Sequence, residues 1–198
     1  MTPSTSRVLT HPLAFIGGGN MARSLIGGLL TRGADPSRIR VAEPNEPLRA
    51  ALAADFGVQV FTEAGEAAYG ADTWLFAVKP QVMRTVCESL ASMAQAQRPL
   101  VVSIAAGITA SQLDAWLGGD LPVVRVMPNT PAMVGKGVSG LYAAADGGAL
   151  PADDLVLRAA RALQQATGCS LGAHIGVAKS VPAQAGRASM PPRIRSMR

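Results

Sequence analysis

The sequence is poor in the features that would point its function elsewhere. Its two cysteines, Cys87 and Cys169, stand far apart with no metal-ligand spacing, so a metal cluster is not expected and a reducing, cytoplasmic setting is. No apolar run approaches the roughly 18 residues of a membrane span, and the polar first ten residues, with Arg7 as their single charge, do not read as a signal peptide. Acidic residues are missing from one region only. Residues 167–198 carry Lys179, Arg187, Arg193, Arg195 and Arg198 with no Asp or Glu, whereas the thirteen basic and thirteen acidic residues of 1–166 cancel. The net charge of +5 is therefore a property of the last segment and not of the body. That segment also lacks Phe, Tyr and Trp, and Pro182, Pro191 and Pro192 break any long helix. Without aromatic residues for base stacking or a recognisable reader motif, a nucleic-acid partner is not expected. Catalytic triads and paired-carboxylate motifs are absent too. His11 and His174 fall in the lead-in and the tail, where surface histidines are the expectation.

What is present is a rhythm of strands and helices in a chain that is 48% apolar. Leu13 to Ile16 is an apolar run that stops at Gly17-Gly18-Gly19 and continues as Asn20-Met21-Ala22 into a helical pattern with Met21, Leu25, Ile26 and Leu29 on one face. Ile39 to Ala42 reads as a second strand. A helix from Glu46 to Phe56 follows, with Leu48, Ala51, Leu52 and Phe56 as its buried face. Val58 to Val60 gives a third strand, Glu63 to Tyr69 a short helix, and Thr73 to Val78 an apolar strand of the kind covered on both faces. Lys79-Pro80-Gln81 opens a helix with Val82, Val86 and Leu90 on its face. Leu100 to Ile104 is a fifth strand, Thr109 caps a helix through Leu117, and Val123 to Met127 is a sixth strand ending in Pro128-Asn129-Thr130-Pro131. Gly137 to Ala143 reads as a further strand and Ala152 to Ala166 as a helix. This order predicts an α/β fold with a doubly wound, mostly parallel sheet of Rossmann type. The expected divisions are a disordered lead-in over 1–11, the dinucleotide-binding domain over 12–171, and a basic, disordered tail over 172–198.

Gly17-x-Gly19-x-x-Ala22 has a physical logic. A strand turns sharply at Gly17, Gly19 has no β-carbon to hold a pyrophosphate away, and Ala22 lets the helix pack close to the strand. The helix N-terminus beneath offers free N–H groups and the positive end of a dipole. Glycine turns of this kind also occur for purely structural reasons. Glu43 ends the second strand about two dozen residues on, where an acidic side chain would accept hydrogen bonds from an adenosine ribose; it reads equally as a solvated loop carboxylate or a helix cap. Lys79 is either a cation near phosphate or ribose oxygens or a surface lysine before a helix-start proline. Asn129 is either a site residue or an ordinary turn residue. All of these turns follow strands, so they converge at the carboxyl ends of the sheet, where doubly wound folds bind their ligands.

Phe15-Ile16-Gly17-Gly18-Gly19-Asn20-Met21-Ala22, Ala77-Val78-Lys79-Pro80-Gln81, Ser103-Ile104-Ala105-Ala106-Gly107-Ile108 and Arg125-Val126-Met127-Pro128-Asn129-Thr130-Pro131 occur in an order and at spacings that resemble pyrroline-5-carboxylate reductase. The resemblance covers residues 12–166. It implies the last step of proline biosynthesis, with a nicotinamide cofactor, usually NADPH and alternatively NADH, delivering hydride to the imine carbon of 1-pyrroline-5-carboxylate. It places Phe15, Ile16, Gly17, Gly18, Gly19, Asn20, Met21 and Ala22 around the pyrophosphate and residues 43–45 beside the adenosine ribose. Ala77, Val78, Lys79 and Pro80 would line the cofactor cleft, with Ala106 near the nicotinamide. Met127, Pro128, Asn129, Thr130 and Pro131 would lie close to the substrate. Ala64 stands where many members have an Asn near the adenine, and Glu43 would repel a 2′-phosphate, with Arg49 as a partial offset.

In the family a further strand, a Ser-Gly-Ser-Gly-Pro-Ala-Tyr segment and a long helical domain follow. That domain forms the homo-oligomer and supplies much of the substrate pocket. Gly172 to Arg198 does not resemble it, and truncation or a lost reading frame near residues 168–175 is the expectation, with weak turnover by this chain. The alternatives are an inactive NADP-binding module and a different Rossmann-fold reductase.

Overall fold

A computed structural model describes residues 11–128 and the strands Ser139–Ala144 and Ile175–Ala178, with side chains through Val126. Six strands alternate with five helices before the chain turns back: β1 (Leu13–Ile16), α1 (Asn20–Thr31), β2 (Ile39–Ala42), α2 (Glu46–Phe56), β3 (Gln59–Phe61), α3 (Ala64–Ala68), β4 (Thr73–Phe76), α4 (Pro80–Gln97), β5 (Leu100–Ser103), α5 (Ala110–Trp116) and β6 (Val123–Pro128). Two further strands are β7 (Ser139–Ala144) and β8 (Ile175–Ala178). The sheet runs in the order β3-β2-β1-β4-β5-β6-β7-β8. The first six strands are mutually parallel, β7 is antiparallel to β6, and β8 is parallel to β7. Strand order reverses between β1 and β4, which places the switch point beside the glycine turn.

Period-two alternation sorts the strand side chains into two cores. Phe15, Val41, Leu75, Val102 and Val124 face one side, under Leu25, Ile26 and Leu29 of α1 and Leu52 of α2. Ala14, Ile16, Ala42, Trp74, Phe76, Val101 and Val123 face the other, with Met83, Cys87, Leu90 and Ala94 of α4 and Leu113 of α5. Covering on both faces is why these strands read as continuous apolar runs. Trp74, fully buried, donates from Nε1 to the carbonyls of Ala68 and Ala71, 3.1 Å each, and so ties β4 to the end of α3.

Several helix faces differ from expectation. In α4 the buried stripe is Met83, Cys87, Leu90 and Ala94, while Val82 is 47% exposed. Two apolar stripes adjoin here, one residue apart, and spacing alone does not say which meets the sheet. In α2 only Leu52 is buried and Leu48 is 43% exposed, because the first turn of α2 stands at the carboxyl edge of the sheet and not over its face. In α1 Ala22 replaces Met21 on the buried face. Within the segment expected as a basic, disordered tail over 172–198, Ile175-Gly176-Val177-Ala178 pairs with Leu141 to Ala144 as an edge strand. Its β-branched alternation suits that position. The expected helix over 152–166 and the rest of the expected tail lie outside the described residues, as do residues 1–10. His11 is exposed and lies 2.9 Å from Asp72.

Candidate dinucleotide site at the carboxyl edge of the sheet

The ladder continues past the strand ends and lines up the loops that matter. Gly17 N–H donates to Ala42 O at 2.9 Å, Ala77 N–H to Ile16 O at 2.8 Å, Glu43 N–H to Phe61 O at 2.9 Å, and Ile104 N–H to Phe76 O at 3.1 Å. Gly17, Glu43, Ala77 and Ile104 are thereby fixed along one edge, each by a backbone bond to the neighbouring strand.

The three glycines do different things. Gly17 has φ +103°, and a β-carbon there would sit 2.9 Å from the carbonyl carbon and oxygen of Ala77 and 3.0 Å from Val78 Cγ1. It is glycine because the turn is left-handed and the β4 loop passes directly behind it. A β-carbon on Gly18 would meet Leu52 Cδ1 at 2.5 Å and Glu43 Cβ at 3.1 Å. Gly19 is the opposite case, with ordinary φ −68° and no protein atom within 4 Å of a β-carbon. The open space lies outside the turn, where a bound pyrophosphate would approach the backbone.

Gly19 is also the N-cap of α1, and no side chain caps this helix end. By contrast, α2 and α5 are capped by the side chains of Asn45 and Thr109. The N–H groups of Gly19, Asn20, Met21 and Ala22 have no intrahelical acceptor, and the first turn of α1 holds no acidic residue. A helix end with free donors, no competing carboxylate and an open approach suits an anion. These features fit the pyrophosphate of a dinucleotide.

Glu43 is placed with both carboxylate oxygens engaged. Oε2 accepts from Gly18 N–H at 3.0 Å and Oε1 from Asn45 N–H at 2.9 Å. The helix-cap reading does not hold, because Asn45 Oδ1 caps α2 by accepting from Leu48 N–H at 3.1 Å; Glu43 is a half-buried loop carboxylate that ties the loop after β2 to the glycine turn. Arg49 donates from Nη1 to the carbonyls of Glu43 at 2.9 Å and Pro44 at 3.1 Å.

The remaining sequence-derived residues fall into three groups. Phe15 and Ile16 are 0% and 1% exposed in the two cores, so their side chains do not reach the cleft and only their backbone contributes. Ala22 is fully buried beneath the turn, Asn20 is exposed, and Met21 is half-buried. Ala77 and Val78 are half-buried behind Gly17, while Lys79 is exposed as the N-cap of α4 and Pro80 is its first residue. The Lys79 carbonyl accepts from Val82 N–H at 3.1 Å, while its exposed ammonium has no hydrogen bond or ion pair among the described residues. Ala105 is buried and Ala106 exposed in the loop after β5. Met127 and Pro128 close β6, whereas Asn129, Thr130 and Pro131 lie outside the described residues. Ala64 begins α3 and, with a methyl side chain, offers no polar contact.

Two residues carry more of the site than the motif indicated. In Gly17-x-Gly19-x-x-Ala22 the middle glycine counts as a free position, yet Gly18 admits Glu43 and Leu52 to the back of the turn. Arg125, a cation inside an apolar strand, donates from Nη2 to Ala105 O at 3.3 Å and so links β6 to the loop after β5.

Residues 12–107 match the family described as NADP oxidoreductase, coenzyme F420-dependent. The chain is 49% identical over 134 residues to the pyrroline-5-carboxylate reductase of Pseudomonas aeruginosa, a match covering 68% of this chain and 49% of that one. Identity to the reductase of the same name from Vibrio alginolyticus is 44% over 131 residues, covering 66% and 48%. Among solved structures, a pyrroline-5-carboxylate reductase from Coxiella burnetii superposes with a TM-score of 0.74 at 32% identity, covering 88% of this chain and 60% of that one. The chain spans about half the length of the curated relatives it matches.

Proposed function

We propose that the described domain is the N-terminal, cofactor-binding domain of a pyrroline-5-carboxylate reductase, and that it holds a reduced nicotinamide dinucleotide for reduction of 1-pyrroline-5-carboxylate to L-proline; the match over residues 12–107 and the likeness to the Pseudomonas aeruginosa and Coxiella burnetii reductases support the reading. The observation that carries the reading is the turn at Gly17 to Gly19, with its open approach at Gly19 and its uncapped helix end. A reduced dinucleotide, when bound, supplies the hydride for the imine carbon.

The residues of this chain bind and orient. The N–H groups from Gly19 to Ala22 would hold the pyrophosphate, and Glu43 and Asn45 would stand beside the adenosine ribose. The short side chains of Ala105 and Ala106 leave room for a flat ring at the carboxyl end of β5, and Lys79 stands near enough in sequence to the Ala77 to Val78 wall to neutralise anionic charge. The reaction asks little of acid–base side chains, since a protonated imine is already electrophilic and orientation supplies much of the acceleration. Met127 to Pro131 would border the substrate. The proposed partners are a small cyclic imine and the cofactor, in a cytoplasmic setting. Among the described residues no helix is long and apolar enough to cross a membrane.

The test has two arms. In the first, the purified full chain is titrated with NADH and NADPH, then assayed for L-proline formed from 1-pyrroline-5-carboxylate. In the second, residues 12–128 replace the matching stretch of the Pseudomonas aeruginosa relative in a proline auxotroph. Saturable binding together with growth supports the proposal. Binding without growth reduces the domain to a cofactor module, and absence of binding overturns the reading.

A further inference from the structure

We propose that Glu43 makes the adenosine subsite select a dinucleotide with a free 2′-hydroxyl, so that this chain prefers NADH to NADPH. The inference rests on the dinucleotide reading above and departs from the NADPH expectation that the family resemblance carries.

The geometry supplies the reasons. The Glu43 backbone is fixed by its N–H bond to Phe61 O at 2.9 Å, and its carboxylate is clamped between Gly18 N–H at 3.0 Å and Asn45 N–H at 2.9 Å. The clamp spans 25 residues of sequence and joins the glycine turn to the loop after β2. The absence of a β-carbon at Gly18 favours it, since one would crowd Glu43 at 3.3 Å from Oε2 and 3.1 Å from Cβ and press on Leu52 Cδ1 at 2.5 Å. An ionised carboxylate has about four acceptor positions, and two are used by these N–H groups. Two acceptor positions therefore remain for a donor such as a ribose hydroxyl, on a carboxylate that is half-buried and not enclosed.

A 2′-phosphate offers the wrong chemistry at that place. It carries only acceptors and about −1.5 to −2 charge, so it meets Glu43 with neither a hydrogen bond nor charge balance. Acceptance would require a cation. The cation nearest in this loop, Arg49, is held by its Nη1 donation to the Glu43 and Pro44 carbonyls, so its charge already sits against the loop that carries the Glu43 carboxylate and offsets it only in part. The other charge in the first turn of α2 is Glu46, which adds repulsion. Arg23 is engaged with Asp55 and stacked over Phe56, 5.1 Å from the ring centre, and Arg40 donates to Glu66 O.

The test is equilibrium titration of the full chain with NADH and NADPH, followed by fluorescence, with 5′-AMP and adenosine 2′,5′-bisphosphate as probes of the adenosine half alone. The expected result is NADH bound at least about tenfold more tightly than NADPH, and 5′-AMP more tightly than the bisphosphate. Glu43→Gln keeps one acceptor and removes the charge. It should tighten NADPH by about tenfold and weaken NADH a few-fold. If that variant fails to melt cooperatively, the wild-type ratios decide. NADPH bound as tightly as NADH overturns the inference and leaves the cofactor reading standing, whereas binding of neither overturns both. A wild-type preference that Glu43→Gln leaves unchanged overturns the assignment to Glu43.

Discussion

Replacing Gly17 and Gly19 one at a time by alanine separates what the turn does for the fold from what it does for a ligand. At Gly17 the left-handed φ of +103° costs a side chain about 1–2 kcal/mol. The new β-carbon would also lie 2.9 Å from backbone atoms of Ala77, which belong to a loop hydrogen-bonded to β1 and cannot swing away as a side chain would. Overpacking of that kind adds about 1–3 kcal/mol, giving a loss of about 2–5 kcal/mol and a melting temperature lower by about 4–20 °C. At Gly19 the φ of −68° is ordinary and no atom lies within 4 Å, so Gly19→Ala should cost less than about 1 kcal/mol. Its methyl group would instead stand in the approach of the pyrophosphate and weaken dinucleotide binding by about tenfold or more. Urea denaturation followed by circular dichroism, paired with cofactor titration, reads both effects. A Gly17→Ala chain as stable as wild type, or a Gly19→Ala chain that binds the dinucleotide undiminished, would refute the reasoning.

Other outcomes follow from the core. Trp74→Phe removes the donor to Ala68 O and Ala71 O and should cost about 1–3 kcal/mol in the same denaturation experiment, with no change in cofactor affinity. Burial, aided by Glu88, pushes the Cys87 thiol from its ordinary 9.0 up to about 12. Mass analysis of the Cys87 peptide should therefore show iodoacetamide reacting at pH 8 far more slowly in the native chain than in urea. Because the unfolded chain releases that proton first, the folded form keeps the full benefit below pH 9.0. Between pH 9.0 and about 12 it loses stability by up to about 1.4 kcal/mol per pH unit. Cys87→Ala should flatten that decline in alkaline melts.

The sequence shows much of this architecture because parallel strands buried on both faces write themselves as apolar runs, and Pro80, Thr109 and the Gly17 to Gly19 run mark where helices begin. Which stripe of α4 meets the sheet was not legible, since Val82 and Val86 look as apolar as Met83 and Cys87. The partners of Glu43 were not legible either. Its role was open between ribose acceptor and loop carboxylate, and what settles its position is a backbone N–H at Gly18, 25 residues away, which no local pattern encodes. Ile175 to Ala178 shows the same limit from the other side. Composition sets the basic segment apart from the body, while strand pairing with Leu141 to Ala144 is a long-range property.

The central claim, that the glycine turn and its neighbours form a dinucleotide site, is tested most directly by titrating the isotopically labelled chain with NADH and following backbone amide resonances. The account predicts saturable shifts concentrated at Gly17 to Ala22, Glu43 to Asn45, Ala77 to Lys79 and Ala105 to Gly107. Shifts centred elsewhere, or none at saturating NADH and NADPH, would contradict it.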